Sequence, residues 1–421
     1  MPSISDTQNV EIWEEAKTVF LPFTSIKLVE LFHGRKSEVR RVTDSLNTPG
    51  RHVVLFGDRG VGKTSLANLT SFFANWDDGD IFKHSCTSTD SFKTIFDSVF
   101  AATGKGLLCR ESFIEQVAKC GSSKFSLQRG KRDRLEPVAE FQVDPNSVFE
   151  ALQGLKVLVI LDEFDRVTSD DGKLAIAELV KKLSDAEAQS KLLIVGVART
   201  IVELIGKHPS AVRAFEQVEM PRMEQDEIEE ILSSGFKQVG LEIPESLVDK
   251  VASLSDGYPH FAHLLGLKLV EAALDRLMRK ESQRLAVTSD DYRPAIVAAI
   301  KGSMHSLKDA YIRGTETPGV KTQLYRLILE GIAVQDDVEV PLQRILDYIN
   351  QLDRPKEIKS QAISPHLGKL VNPEKRNVLE RPRTGFYRFR DPMLRAFVRM
   401  QLAEMKLTAV PQYRQMTFKF T

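Results

Sequence analysis

From about residue 52, short β-rich runs alternate with longer helical ones. The runs His52–Gly57, Ile81–Cys86, Val157–Leu161, Leu192–Val197 and, with a weaker pattern, Phe215–Met220 predict strands. A run as continuous as Val157-Leu158-Val159-Ile160-Leu161 fits a sheet covered on both faces. The second, third and fourth runs are far enough apart for crossover helices, as parallel pairing requires. After Pro221 the period lengthens. Ile228, Ile231, Leu232 and Phe236 fall at helical spacing, and a further amphipathic stretch follows Pro259.

The last hundred residues change pattern again. Leu324, Leu327 and Ile328 mark one helix, and Leu342, Ile345, Leu346 and Ile349 mark a second. A third is expected over about 361–371, either started or interrupted by Ser364-Pro365. Asn377–Glu380 and Phe386–Arg390 read as two strands around a turn at Arg383-Thr384-Gly385. Three helices followed by a β-hairpin is the order of a winged helix. The expected organisation is therefore an N-terminal segment (1–27), an α/β core with a parallel sheet (28–220), a small helical domain (221–300), and a winged-helix domain with its tail (301–421).

Composition narrows the class. Of 421 residues, 42% are apolar and 28% charged, which allows sizeable cores and excludes a disordered, collagen-like or small disulfide-stapled chain. The apolar runs are too short to cross a bilayer, so no membrane partner is expected. The first twenty residues carry Asp6, Glu11, Glu14 and Glu15 and show no secretory pattern. Cys86, Cys109 and Cys120 have no metal-ligand spacing and fit free thiols in a reducing, cytoplasmic setting. A net charge of zero hides a division, because residues 301–421 hold 21 Lys/Arg against 13 Asp/Glu. The excess lies in 354–399, with 12 basic and 4 acidic residues, either a surface for nucleic acid or an acidic partner, or a solvated face. Gly121–Arg134, with Lys124, Arg129, Lys131, Arg132 and Arg134, reads as an inserted basic loop.

The sharpest motif is Gly57-Asp58-Arg59-Gly60-Val61-Gly62-Lys63-Thr64, followed by Ser65 and a helical run. Its glycines let backbone N–H groups wrap phosphates, and the helix N-terminus adds favourable partial charge. Lys63 would neutralise the β/γ-phosphates and Thr64 would bind Mg²⁺. A hundred residues on, the apolar strand Val157–Leu161 ends in Asp162-Glu163. There Asp162 would hold Mg²⁺, and Glu163 would deprotonate an attacking water. No Asn-Lys-x-Asp segment is present to read guanine, so ATP is the expected nucleotide.

Together these features resemble the AAA+ ATPases related to origin-recognition proteins and archaeal initiators, the neighbouring STAND class, and the archaeal ATPase family. The resemblance covers about residues 28–400 and implies a helical lid over 221–300. Leu31-Phe32-His33-Gly34-Arg35 looks like the entry of these proteins, whose backbone lies by the adenine; a turn with a solvated Arg35 is the plainer reading. Ala198-Arg199-Thr200 stands where a polar γ-phosphate sensor is usual, with Arg199 replacing Asn or Thr. Arg213 falls where AAA+ proteins place an arginine finger, and is otherwise a surface arginine. Gly257-Tyr258-Pro259-His260 shows the Gly-x-Pro of the STAND class, with His260 either facing phosphates or packed beside Phe261. Asp391-Pro392-Met393-Leu394-Arg395 resembles the winged-helix ending of the archaeal ATPase family, and Asp391 is expected to cap the helix that follows.

Two functions follow from the resemblance. One is an oligomeric ATPase whose winged helix engages duplex DNA through Lys356, Lys359, Lys369, Arg381, Arg383, Arg388 and Arg390. The other is a signalling switch whose winged helix packs on the ATPase and whose effector is a separate protein. A metabolite kinase fits less well, since Glu163 favours water as acceptor.

Overall fold

The computed structural model describes residues 4–74, 76, 81–104, 143–198, 200–206, 209–279, 285–316, 323–352 and 357–408. Cys109, Cys120, Lys356, Arg199 and the basic segment Gly121–Arg134 lie outside the described residues. The chain divides into two compact units, one of Ser25–Pro221 and one combining Met1–Thr24 with Arg222–Thr421.

Among the described residues, the first unit is built on five parallel strands: β1 (His52–Gly57), β2 (Ile81–Ser85), β3 (Leu158–Asp162), β4 (Lys191–Val197) and β5 (Phe215–Glu219). They run in the order β2-β3-β4-β1-β5. Every residue of β1 and β3 is buried, which explains their unbroken apolar sequence. On one face, Val54, Val159, Leu161, Leu192 and Ile194 join Ile95, Phe96, Leu179 and Val180 from the covering helices in a single core. The edge strand β2 is only partly buried and carries the polar Lys83, His84 and Ser85.

Polar side chains are also buried within this unit. His52 is fully buried, and its Nδ1 accepts the backbone N–H of Leu192 at 3.0 Å, tying β1 to β4. Burial, with the neighbouring Lys191 charge, pushes its pKa down to about 3. The Lys191 ammonium donates to the Thr48 carbonyl at 2.6 Å, and burial pushes it down to about 8.

The second unit is mostly helical. Pro259–Met278 is its central helix, with Phe261, Leu264, Leu265, Leu269 and Val270 buried. The N-terminal helix Ile4–Val19 belongs to this unit rather than to the sheet. Phe20, 1% exposed, anchors it. A Cβ at Gly235 or Gly266 would lie 2.7 or 2.5 Å from the Phe20 ring, so both helices need glycine where that ring lies.

Further along come helix Leu324–Ala333, β6 (Val340–Pro341), helices Leu342–Gln351 and Ser360–Val371, β7 (Leu379–Glu380), β8 (Phe386–Phe389) and helix Met393–Thr408. The strands form a small antiparallel sheet in the order β6-β8-β7. Pro365 neither starts nor interrupts its helix but sits inside it, as the sixth residue of Ser360–Val371. The sequence pattern gave no warning of β6, which is two residues long. Asp391 caps as expected, its Oδ1 accepting the Met393 N–H at 3.0 Å.

Candidate functional site

The glycine-rich turn from Gly57 to Gly62 leaves β1 at its C-terminal end and opens the helix Lys63–Phe73. Gly57, Gly60 and Gly62 all have positive φ (143°, 81° and 97°). At Gly57 a Cβ would also meet the Met220 carbonyl at 2.4 Å, so glycine is required twice over. Nothing lies within 4 Å of a Cβ placed at Gly62, which leaves the mouth of the loop open.

Lys63 is 7% exposed, and its ammonium donates to the Gly57 and Asp58 carbonyls at 3.0 and 2.6 Å. Burial pushes its pKa down to about 8, against the pull of Asp165, Asp58 and Asp162. A buried cation whose hydrogen bonds go to carbonyl dipoles, at the N-terminal start of a helix, fits an anion of phosphate type. The outer positions differ in character. Arg59 is exposed, while the Ser65 hydroxyl is occupied, accepting the Ile26 N–H at 3.1 Å.

Parallel pairing brings the end of β3 beside this helix. The Thr64 hydroxyl donates to Asp162 Oδ1 at 3.2 Å, joining residues 98 positions apart. A hydroxyl and a carboxylate so placed, next to a phosphate cradle, are oxygen donors suited to Mg²⁺. Glu163 follows with φ 55°, a left-handed conformation that non-glycine residues seldom adopt. Its Oε2 accepts the Ser85 hydroxyl at 3.3 Å and pairs with Arg166 at 3.0 Å, and its side chain is 43% exposed.

Arg35 is not solvated. At 3% exposure it donates to Glu38 (3.2 Å), to the Val61 carbonyl of the glycine loop (3.2 Å) and to the Pro221 carbonyl (2.5 Å). The turn reading with a surface arginine is therefore overturned: the side chain fastens the loop to the last residue of this unit. His33, two residues earlier, is half-buried. Arg213 is exposed near the end of the short helix Pro209–Ala214.

In the helical unit, Pro259 is the first residue of its helix. His260 shares a hydrogen bond of 2.6 Å with the Pro22 carbonyl and packs edge-on against Phe23 and Phe261. A second cluster here was not legible beforehand. The Asp256 carboxylate, 3% exposed, receives Arg222 (2.9 Å), Arg395 (2.5 and 2.7 Å) and Arg399 (3.2 Å). It directly precedes Gly257-Tyr258-Pro259, and Arg395 ends Asp391-Pro392-Met393-Leu394-Arg395, so two motifs distant in sequence meet.

Most of the arginines expected to face DNA are already engaged. Arg388 sits between Glu380 (3.0 Å) and Glu339 (3.2 Å), and Arg390 lies 3.9 Å from Glu380. Arg383 lies 3.4 Å from Glu339 and covers the Phe386 ring at 3.7 Å. Arg381 is exposed. Cys86 is buried, its thiol pushed up to about 12 chiefly by burial, and so is chemically quiet. Among the described residues, no helix is long and apolar enough to cross a membrane.

The family model described as novel STAND NTPase 1 matches residues 22–370. Among curated proteins, no sequence match was found. The Walker-type ATPase PABY2304 of Pyrococcus abyssi is structurally similar, with TM-score 0.52 and 18% identity over 90% of this chain and 99% of that one. The Aeropyrum pernix ORC2 protein, solved as ADPNP–ADP complexes, aligns with TM-score 0.48 and 15% identity over 93% and 98%. At these identities the likeness to PABY2304 shows the fold alone.

Proposed function

This chain belongs to the novel STAND NTPase 1 family, and from that premise we propose that it binds ATP with Mg²⁺ at residues 57–65 and hydrolyses it with water. The observation that carries the reading is the 3.2 Å contact of Thr64 with Asp162 beside the Lys63 cradle. In this reading Lys63 neutralises the β/γ-phosphates, Thr64 and Asp162 hold Mg²⁺, and Glu163 takes the proton of the attacking water. Arg213, exposed at the surface, completes the site of a neighbouring copy in a homo-oligomer. His33 and Arg199 contact or sense the nucleotide.

We further propose that 221–300 is the lid and 301–421 a winged helix, on the strength of the element order and of the small sheet β6-β8-β7. The Asp256 cluster favours a signalling switch, because it fastens the last helix to the residue before the Gly-x-Pro sequence. The engagement of Arg383, Arg388 and Arg390 with Glu339 and Glu380 points the same way, by lowering the charge offered to phosphates. Coupling to duplex DNA is the second reading, supported by the basic excess over 354–399.

The test pairs two variants. Lys63→Ala should abolish nucleotide binding, whereas Glu163→Gln should keep ATP bound and slow turnover roughly 10²–10⁴-fold. Wild-type turnover in Glu163→Gln would remove its role as base.

A further inference from the structure

The edge strand β2 reaches both carboxylates at the end of β3 with side chains that belong to no motif. Lys83 Nζ lies 3.0 Å from Asp162 Oδ2 and donates to Asn68 Oδ1 at 2.7 Å. Asn68 is itself held, its amide donating to Ser25 Oγ at 2.8 Å. The register sets Lys83 beside Ile160 and Ser85 beside Asp162, and alternation along the strand puts both polar residues on one face. Lysines on edge strands commonly face water and discourage edge pairing. This one turns its ammonium onto a carboxylate whose side chain is 7% exposed, while its own side chain is 35% exposed.

The two oxygens of Asp162 are divided between different partners. Oδ1 accepts the Thr64 hydroxyl and the Glu163 N–H, at 3.2 and 3.0 Å, and Oδ2 faces Lys83. A divalent cation held by Thr64 and Asp162 draws on the same carboxylate charge that Lys83 neutralises. Two cations about one carboxylate repel each other, more strongly in a partly buried site than in water. Asn68 offers the ammonium a neutral partner at hydrogen-bond distance, so Lys83 can give up Asp162 without losing all its contacts.

We infer that Lys83 is a built-in counter-cation that competes with the divalent metal for Asp162 and so sets the metal affinity of the nucleotide site. This rests on the ATP-binding reading above and deepens it. The competition keeps Asp162 neutralised until a metal-loaded nucleotide arrives. It also raises the metal concentration at which the site fills.

The probe is Mn²⁺ in the presence of ADP, followed by electron paramagnetic resonance on the full-length protein, a readout independent of turnover. Lys83→Met should bind Mn²⁺ roughly two- to fivefold more tightly than wild type, the scale of a partly exposed ion pair. Lys83→Arg should stay near wild type, and Asp162→Asn should lose the metal. ADP affinity in excess chelator should be the same in wild type and Lys83→Met. If Lys83→Met does not fold, judged by circular dichroism, Lys83→Gln serves as the neutral variant. Equal or weaker Mn²⁺ binding by the folded neutral variant, beside a wild type that binds Mn²⁺ and ADP, overturns this inference alone. A wild type that binds neither overturns the nucleotide reading and this inference with it.

Discussion

The guanidinium of Arg395 grips the Asp256 carboxylate through two bonds, Nε to Oδ2 at 2.7 Å and Nη2 to Oδ1 at 2.5 Å. Its remaining nitrogen donates to the Asp336 and Asp337 carbonyls at 3.0 and 3.1 Å. Planar, two-pronged pairing of this kind needs arginine, since lysine offers a point charge and no fork. Arg395→Lys is therefore expected to behave as a loss rather than as a conservative change.

Removing the carboxylate should cost more than removing any one arginine. Asp256→Ala leaves Arg222, Arg395 and Arg399 facing one another in a site where Asp256 and Arg395 are 3% and 8% exposed. Breaking a buried pair from one side costs about 3–5 kcal/mol. Urea unfolding should show that loss for Asp256→Ala, and a smaller one for Arg399→Ala, whose guanidinium lies farther from the carboxylate. Equal stability of Asp256→Ala and wild type would mean the cluster contributes nothing net.

His52 makes the first unit acid-sensitive. Its pKa is pushed down to about 3 by burial and by Lys191, against an ordinary value of 6.5. Between those values the unfolded chain binds a proton that the folded one refuses. The stability is whole above about pH 6.5 and falls as pH drops towards 3, by about 1.4 kcal/mol per pH unit from this group. The acid slope measured by urea unfolding should be shallower by about that amount in His52→Gln, which keeps an acceptor for Leu192. An unchanged slope would show that His52 titrates normally.

The parallel core, the glycine loop and the paired acids were legible because each rests on local rules: unbroken apolar strands, glycine at positive φ, carboxylates at a strand end. Strand edges shifted by one residue, Asp162 falling inside β3 and Cys86 outside β2. The inward turn of Arg35 was not legible, since it depends on carbonyls 26 and 186 positions away. The Asp256 cluster, spanning 139 positions to Arg395, was hidden for the same reason. Lys83 leaves only a faint trace, a lysine alternating with serine on the partly buried strand β2.

Lys63 should report nucleotide binding through protons. Burial holds its pKa at about 8 against an ordinary 10.5, so above pH 8 much of the free protein carries it neutral. Phosphates close to the ammonium favour the charged form and raise that value. ADP binding between about pH 8 and 10 should therefore take up a proton. Calorimetry at pH 9 in buffers of different ionisation enthalpy measures the uptake, and Lys63→Met should show none in whatever binding remains. Proton-neutral binding by wild type at pH 9 would contradict a buried, depressed Lys63.

The final prediction separates charge from availability on the proposed winged helix. A basic side chain free to meet phosphate contributes about −0.9 to the log–log dependence of duplex affinity on salt. Arg388, held between Glu380 and Glu339 and only 19% exposed, would have to leave two carboxylates first. Arg388→Ala should thus leave the salt slope nearly unchanged and instead lower unfolding stability, because it removes the cation shared by Glu380 and Glu339. Those carboxylates then keep the longer Arg390 and Arg383 pairs, at 3.9 and 3.4 Å. Arg381→Ala, at an exposed position, should flatten the slope by up to about one unit and leave stability intact. A slope loss confined to Arg388→Ala would reverse this assignment of the wing. Absence of duplex affinity at low salt, with and without ATP, would remove the DNA reading and leave the switch.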